Sequence, residues 1–334
     1  MGEMLRFLLR ASGVGRIIDT MTIHRRYIFM FIADAHCDTL SSIAIWNRDP
    51  KDCAVTAERM KAGCVGLQTF AMFTALKGPQ STPYQDGVKM AAAIDRLGVP
   101  VFTGRLPETA PDYPAGVISI EGGEMLEGKL ERLEEFYQST GVRMIALTWN
   151  FENEIGHPAK QGPEQGLKPF GLQLLKEMDK KGIYADVSHL NEAGFWDIVN
   201  NMELPPIASH SNARALCDHT RNLNDDQIKA VIEKKGFIGI NFFSAFLAKD
   251  RPATLEDVFA HIDYIAQMGG IDVLGFGSDF DGIDAWPEGL GHPGEFGNLI
   301  ALLRSHGYSE ANIEAIAGGN LWRLLKKADM MRGA

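Results

Sequence analysis

The sequence predicts an α/β protein built as a single (β/α)8, TIM-like barrel, on three observations. Eight short apolar runs recur along the chain, stretches of helical period separate them, and no linker divides the 334 residues. Strands of a parallel sheet are buried on both faces and need crossovers long enough to return the chain, which is the pattern seen here. Hydrophobic residues at 45% and charged residues at 23% describe an ordinary folded protein with a large core.

In order, the runs are FIADAHCD from Phe31, CVGLQTFAMF from Cys64, GVISIEGG from Gly116 and VRMIALTWN from Val142. GIYADVSHL from Gly182, PPIASHS from Pro205, GFIGINFF from Gly236 and DVLGFGSDFDG from Asp272 complete the eight. Two intervening helices are well marked. Pro169 to Lys181 places Leu172, Leu175 and Met178 on one side, and Leu255 to Met268 does the same with Val258, Ile262 and Ile265. The Pro/Gly-rich stretches Lys77 to Gln85 and Trp286 to Gly297 read as loops over one face.

Residues 1–30 carry five arginines, two acids and no long apolar run, so they neither span a bilayer nor make a signal peptide. They read as a poorly ordered extension or a mis-assigned start, with Met21 or Met30 as the true beginning and residues 31–334 as the barrel domain. A net charge of -10 sets a repulsive field against a nucleic-acid partner. The cysteines Cys37, Cys53, Cys64 and Cys217 show no CxxC spacing and suit a reducing cytoplasm.

The polar residues of interest fall at the C-terminal ends of the apolar runs, where barrel enzymes build their sites. In DAHCD, strand alternation puts Asp34, His36 and Asp38 on one face, so His36 and Asp38 can reach one ion. A hydrogen-bonded His/Asp pair would be the ordinary structural reading of that motif alone. Glu121 closes VISI just before Gly122 and Gly123, which lets the backbone turn tightly behind a carboxylate. His189 and His210 close two apolar runs that both end in Ser-His, and their joint placement argues against two unrelated buried histidines. Asp279 and Asp281 close the last run on one face, one of them suited to acid-base work. Together His36, Asp38, Glu121, His189 and His210 offer nitrogen and oxygen ligands without thiolate, the set of a catalytic zinc pair with Glu121 as natural bridge. The fold is thus of the metal-dependent hydrolase type.

These residues lie in DAHCDTL at Asp34, SIEGGE at Ser119, ADVSHL at Ala185, SHSNAR at Ser209, RNLND at Arg221 and GFGSDFDG at Gly275. In that order they resemble the membrane (renal) dipeptidase family of the amidohydrolase superfamily, over nearly the whole chain after Met30. The resemblance implies two Zn2+ bridged by Glu121 and the five ligands above, with Asp279 as the acid-base carboxylate facing a metal-bridging hydroxide. It implies that Arg221 grips the C-terminal carboxylate of a small dipeptide, L,L or L,D, and it makes a homodimer a family-based expectation. It assigns Asp281 no role.

Where the animal enzymes carry a histidine after Leu-Thr, this chain reads LTWNFENEIG. In its place either Asn150 donates to the developing oxyanion or Trp149 walls the substrate pocket, with His157 as a third group able to swing in. NFF at Asn241, where some relatives have a tyrosine, is a second departure bearing on how the pocket reads its ligand. The competing readings are a superfamily hydrolase acting on a cyclic amide or N-acyl amino acid, and a non-catalytic metal-binding barrel.

Overall fold

The computed structural model describes residues 30–74, 82–162 and 164–332. Eight parallel strands close into a barrel in chain order: β1 (Ile32–Cys37), β2 (Val65–Phe73), β3 (Ala115–Glu121), β4 (Met144–Ala146), β5 (Tyr184–Asp186), β6 (Ile207–Ala208), β7 (Phe237–Ile240) and β8 (Leu274–Phe276). Asp34 opposite Phe276 closes the ring between β1 and β8. Residues Phe31–Ala334 form one compact unit, and the expected N-terminal extension lies, but for Met30, outside the described residues.

Each apolar run holds one strand, yet several strands stop earlier than the run does. Burial continues past the last ladder hydrogen bond because the residues that follow turn inward over the barrel mouth. His189, Asp279 and Asp281 do so with left-handed backbone, at φ of 70, 64 and 64°. The alternation argument that put Asp279 and Asp281 on one face therefore fails: both lie beyond β8, in a loop.

The helix Pro169–Lys181 has the predicted bounds, opened by a proline in its first turn and closed by Gly182. Its buried stripe is Gly171, Leu174, Leu175 and Met178, while Leu172, expected inward, is 36% exposed. The i, i+3, i+4, i+7 spacing starts from Gly171, which leaves Leu172 about 100° off the stripe. The second helix buries Val258, Ile262 and Ile265 as expected but ends at Ile265, where a π-turn over Ala266–Gly270 takes over. Of the predicted loops, Lys77–Gln85 runs into a helix beginning at Pro83, and Trp286–Gly297 contains a 3-10 turn at Pro293–Glu295. Residues 75–81 lie outside the described set.

At the base of the barrel Arg143, fully buried just before β4, donates to the Asp329 carboxylate and to the Gly104 carbonyl. Asp329 ends the C-terminal helix Asn320–Asp329 and also accepts from the Leu106 N–H at 2.6 Å. This ion pair clamps the last helix to the strand that leads to Trp149 and Asn150. Beneath the mouth, buried Asp34 accepts from Ser278 N–H at 2.8 Å, Ser278 Oγ at 2.5 Å and Gln68 Nε2 at 2.9 Å, tying β1, β2 and the end of β8 together.

Candidate active site

Glu121, the last residue of β3, stands at the centre of the mouth because Gly122 turns the chain away at φ 85°. Its two oxygens are divided between different histidines. Oε2 lies 3.4 Å from His36 Nε2, while Oε1 lies 2.9 Å from His189 Nε2 and 3.6 Å from His210 Nε2. Asp38 Oδ2 and Asp279 Oδ1 each approach His36 Nε2 at 3.8 Å. Donor atoms of His36, Glu121 and His210 all fall within 4.8 Å of one another, as do those of His36, Asp38 and Asp279. The rings of His36 and His210 also stand together, 3.9 Å from centroid to centroid.

The protons on the two Ser-His histidines are set from outside. Ser209 Oγ donates to the Asp186 carboxylate, which also accepts the Ser209 and Ser188 N–H groups at 3.0 and 2.9 Å. With its hydrogen committed, the Ser209 hydroxyl can only accept from His210 Nδ1, 2.7 Å away. Asn150 Oδ1 faces His189 Nδ1 at 3.3 Å and makes that nitrogen a donor as well. Asn150 thus orients a histidine through Oδ1, while its amide nitrogen stays on the cavity that it lines.

Both imidazoles consequently turn an Nε2 lone pair inward, and these meet at 3.1 Å beside the Glu121 carboxylate. Two lone pairs at that distance repel unless a cation receives them. Among the described residues, His36 Nε2 and Asp38 Oδ1 are also buried without a hydrogen-bond partner. Bound divalent cations would satisfy these atoms, and outer partners that fix the histidine tautomer are the usual support of metal ligands.

Charge follows the same logic. Burial, and then the neighbouring cations, hold His189 and His210 well below the usual histidine range, so both are neutral. Burial also works to lower His36, but the Glu121 and Asp38 carboxylates outweigh it and push that group well above its ordinary value. Burial first, then nearby Asp38, pushes Glu121 up to about 8; burial likewise raises Asp279 to about 6. Crowded, desolvated carboxylates of this kind gain most from a bound cation.

Asn241, one residue past β7, donates from Nδ2 to Asp279 Oδ2 at 2.9 Å, so it reads the aspartate rather than a ligand. Asp281 is structural, accepting from Thr39 Oγ1 at 2.6 Å, Ala54 N–H at 2.8 Å and Arg48 Nη1 at 3.0 Å. It thereby fastens the Asp279 loop to the residue after Asp38. Gly282, which the sequence reading passed over, fits between the two acids; a Cβ there would stand 2.0 Å from Asp38 Oδ2 and 2.6 Å from Asp279 Oδ1. The Asp-Gly ending of SDFDG was the available signal.

A cavity of about 210 Å³ opens over this cluster, lined among others by Glu121, His189, Asp279, Asn150 and Trp149. Arg221 is buried, 4% exposed, with Nη2 3.4 Å from the His210 carbonyl and its guanidinium 5.5 Å from the Phe246 ring, and its Nε has no partner among the described residues. It lines a neighbouring cavity of about 250 Å³, while Phe246 beneath it lines the first. Burial lowers it to about 10 and leaves it a cation at neutral pH. His157 does not reach the site: it pairs with Glu152 at 3.6 Å and lines a separate cavity.

A sequence profile of the membrane dipeptidase family (peptidase family M19) matches residues 22–334. An uncharacterized dipeptidase of Schizosaccharomyces pombe is 31% identical over 82% of this chain and 72% of its own length. A metallo peptidase from Rhodobacter sphaeroides, solved with a phosphinate mimic of the dipeptide L-Ala-D-Ala, superposes with a TM-score of 0.80 at 26% identity, over 90% of this chain and 99% of its own. A dipeptidase AC structure of the M19 family gives 0.79 at 28% identity, over 90% and 98%. The chain belongs to the membrane dipeptidase family, peptidase family M19, and is a metallo-dipeptidase.

Proposed function

We propose that this protein hydrolyses dipeptides with a free C-terminal carboxylate, of L,L and L,D configuration, using two zinc ions bridged by Glu121. The observation that carries the reading is the division of the Glu121 oxygens, one toward His36 and the other toward His189 and His210. On this reading His36, Asp38 and Glu121 hold one ion, and Glu121, His189 and His210 the other. When bound, such ions polarise a carbonyl and make water a nucleophile near neutral pH.

The remaining steps belong to the chain. Asp279 Oδ2 is held by Asn241, which leaves Oδ1 facing the cluster as the atom that takes the proton from the attacking water. The same oxygen returns it to the leaving amine, so that water is added across one C–N bond and two amino acids are released. Arg221, a buried guanidinium with an unpartnered Nε, grips the substrate carboxylate and restricts the pocket to short peptides. The L-Ala-D-Ala mimic bound by the Rhodobacter sphaeroides relative supports acceptance of an L,D pair. The four unpaired cysteines support a reducing, cytoplasmic setting.

The test is hydrolysis of L,L and L,D dipeptides by the zinc-loaded protein, beside C-terminally amidated controls and Asp279→Asn. Free-carboxylate dipeptides alone are expected to be cleaved, with kcat at least ~100-fold lower in the variant. Equal cleavage of amidated controls would remove the Arg221 clamp. No cleavage of any dipeptide by protein carrying two metals per chain would overturn the reading.

A further inference from the structure

We propose that Trp149, with Phe73 and Trp46, forms the pocket for the side chain of the substrate's N-terminal residue and selects large apolar, above all aromatic, groups there. This rests on the dipeptidase reading above. The rings form a continuous series: Trp46 to Phe73 at 6.0 Å between centroids, Phe73 to Trp149 at 4.9 Å, and Trp149 to Phe151 at 5.6 Å. Its middle is packed, Phe73 being 8% exposed, but its ends are open, with Trp46 at 47% and Phe151 at 50%. Large rings left half in water beside a polar cluster mark a surface shaped for a ligand.

The topology decides which end of a dipeptide meets this wall. Phe73 ends β2 and Trp149 follows β4, whereas Arg221 follows β6 and Phe246 follows β7. In a closed ring of eight strands in sequence order, β2 stands opposite β6, so Phe73 lies across the mouth from Arg221, while Trp149, after β4, packs against Phe73 from the side. A carboxylate held at Arg221 therefore directs the peptide across the Glu121–Asp279 cluster, and its first residue arrives at the aromatic side. Trp46, Phe73 and Trp149 line the same cavity as Glu121, His189 and Asp279. Trp149 stands in the stretch where the family resemblance breaks, so this wall gives the chain a preference of its own.

The experiment compares kcat/KM for Gly-Ala, Leu-Ala, Phe-Ala and Trp-Ala, which share one C-terminal residue, in wild type, Trp149→Ala and Trp46→Ala. Burial of an aromatic ring predicts roughly tenfold or greater preference for Phe-Ala over Gly-Ala in wild type. That ratio is expected to shrink about fivefold or more in each variant. Inhibition constants of phosphinate dipeptide mimics, with a benzyl group or a hydrogen at the first position, should change in parallel. Thermal melts report folding, and if Trp149→Ala does not fold, Trp46→Ala at its half-exposed site carries the comparison. Equal kcat/KM across the wild-type series, or a ratio unchanged in the folded variants, overturns the aromatic pocket and leaves dipeptidase activity standing. Failure to cleave any of the four overturns both.

Discussion

Ser209→Ala removes the only acceptor that the described residues offer the His210 Nδ1 proton, while leaving every proposed metal ligand in place. His210 is fully buried, so its Nδ1–H would be stranded, at about 1–3 kcal/mol for an unsatisfied buried donor. The ring escapes that penalty by moving the proton to Nε2, where the lone pair now faces His189 at 3.1 Å. The metal must then bind against the wrong tautomer. Loss of such an outer partner weakens metal affinity by roughly 10–100-fold, which is about 1.4–2.7 kcal/mol. Competition against a chromophoric chelator measures this directly, and 15N NMR of the imidazoles reports the tautomer. Ser188→Ala is the control, because Ser188 Oγ accepts the His210 backbone N–H at 3.1 Å and touches no ring nitrogen. Metal affinity in Ser209→Ala within about twofold of wild type, or equal losses in both variants, would refute the Asp186–Ser209–His210 relay.

Gly282→Ala would drive a methyl group between Asp38 and Asp279, and a displacement of the order of 1 Å predicts about 100-fold loss of kcat/KM; near-normal turnover would show that the loop yields. Glu124, raised to about 7 chiefly by burial, holds its proton more tightly folded than unfolded. Its folded pKa lies above the unfolded 4.5, so stability falls as pH rises through about 4.5–7, by roughly 3 kcal/mol in all. Glu124→Gln keeps an acceptor for Asn153 and should flatten that slope in urea melts at pH 5 and 8; parallel profiles would contradict it. Asp329→Ala leaves the buried Arg143 without its carboxylate counter-charge and should lower stability by about 3–5 kcal/mol in denaturant titration, with the mouth of the barrel unaffected.

What could be read from the chain alone was whatever leaves a local pattern. The eight apolar runs each contained a strand because burial on both faces suppresses polar alternation, and the polar residues at their ends met because a parallel barrel brings all those ends to one rim. His36, Asp38, Glu121, His189, His210 and Asp279 were legible for that reason. Where the extended backbone stopped was not, since residues such as Asp279 stay buried after leaving the ladder. Partnership was illegible too. Asp281 looked like a second acid until the structure gave it to Thr39, 242 residues away, and no local pattern announced that Asn150 Oδ1 would face His189. Asn241 and Gly282 matter only because β7 and the loop after β8 stand beside Asp38 and Asp279 once the ring closes. Sequence by itself determined which groups reach the rim, because period and burial are local properties. Tertiary structure alone decided which of them touch, because the closing distances are fixed by strand pairing and loop turns far apart in the chain.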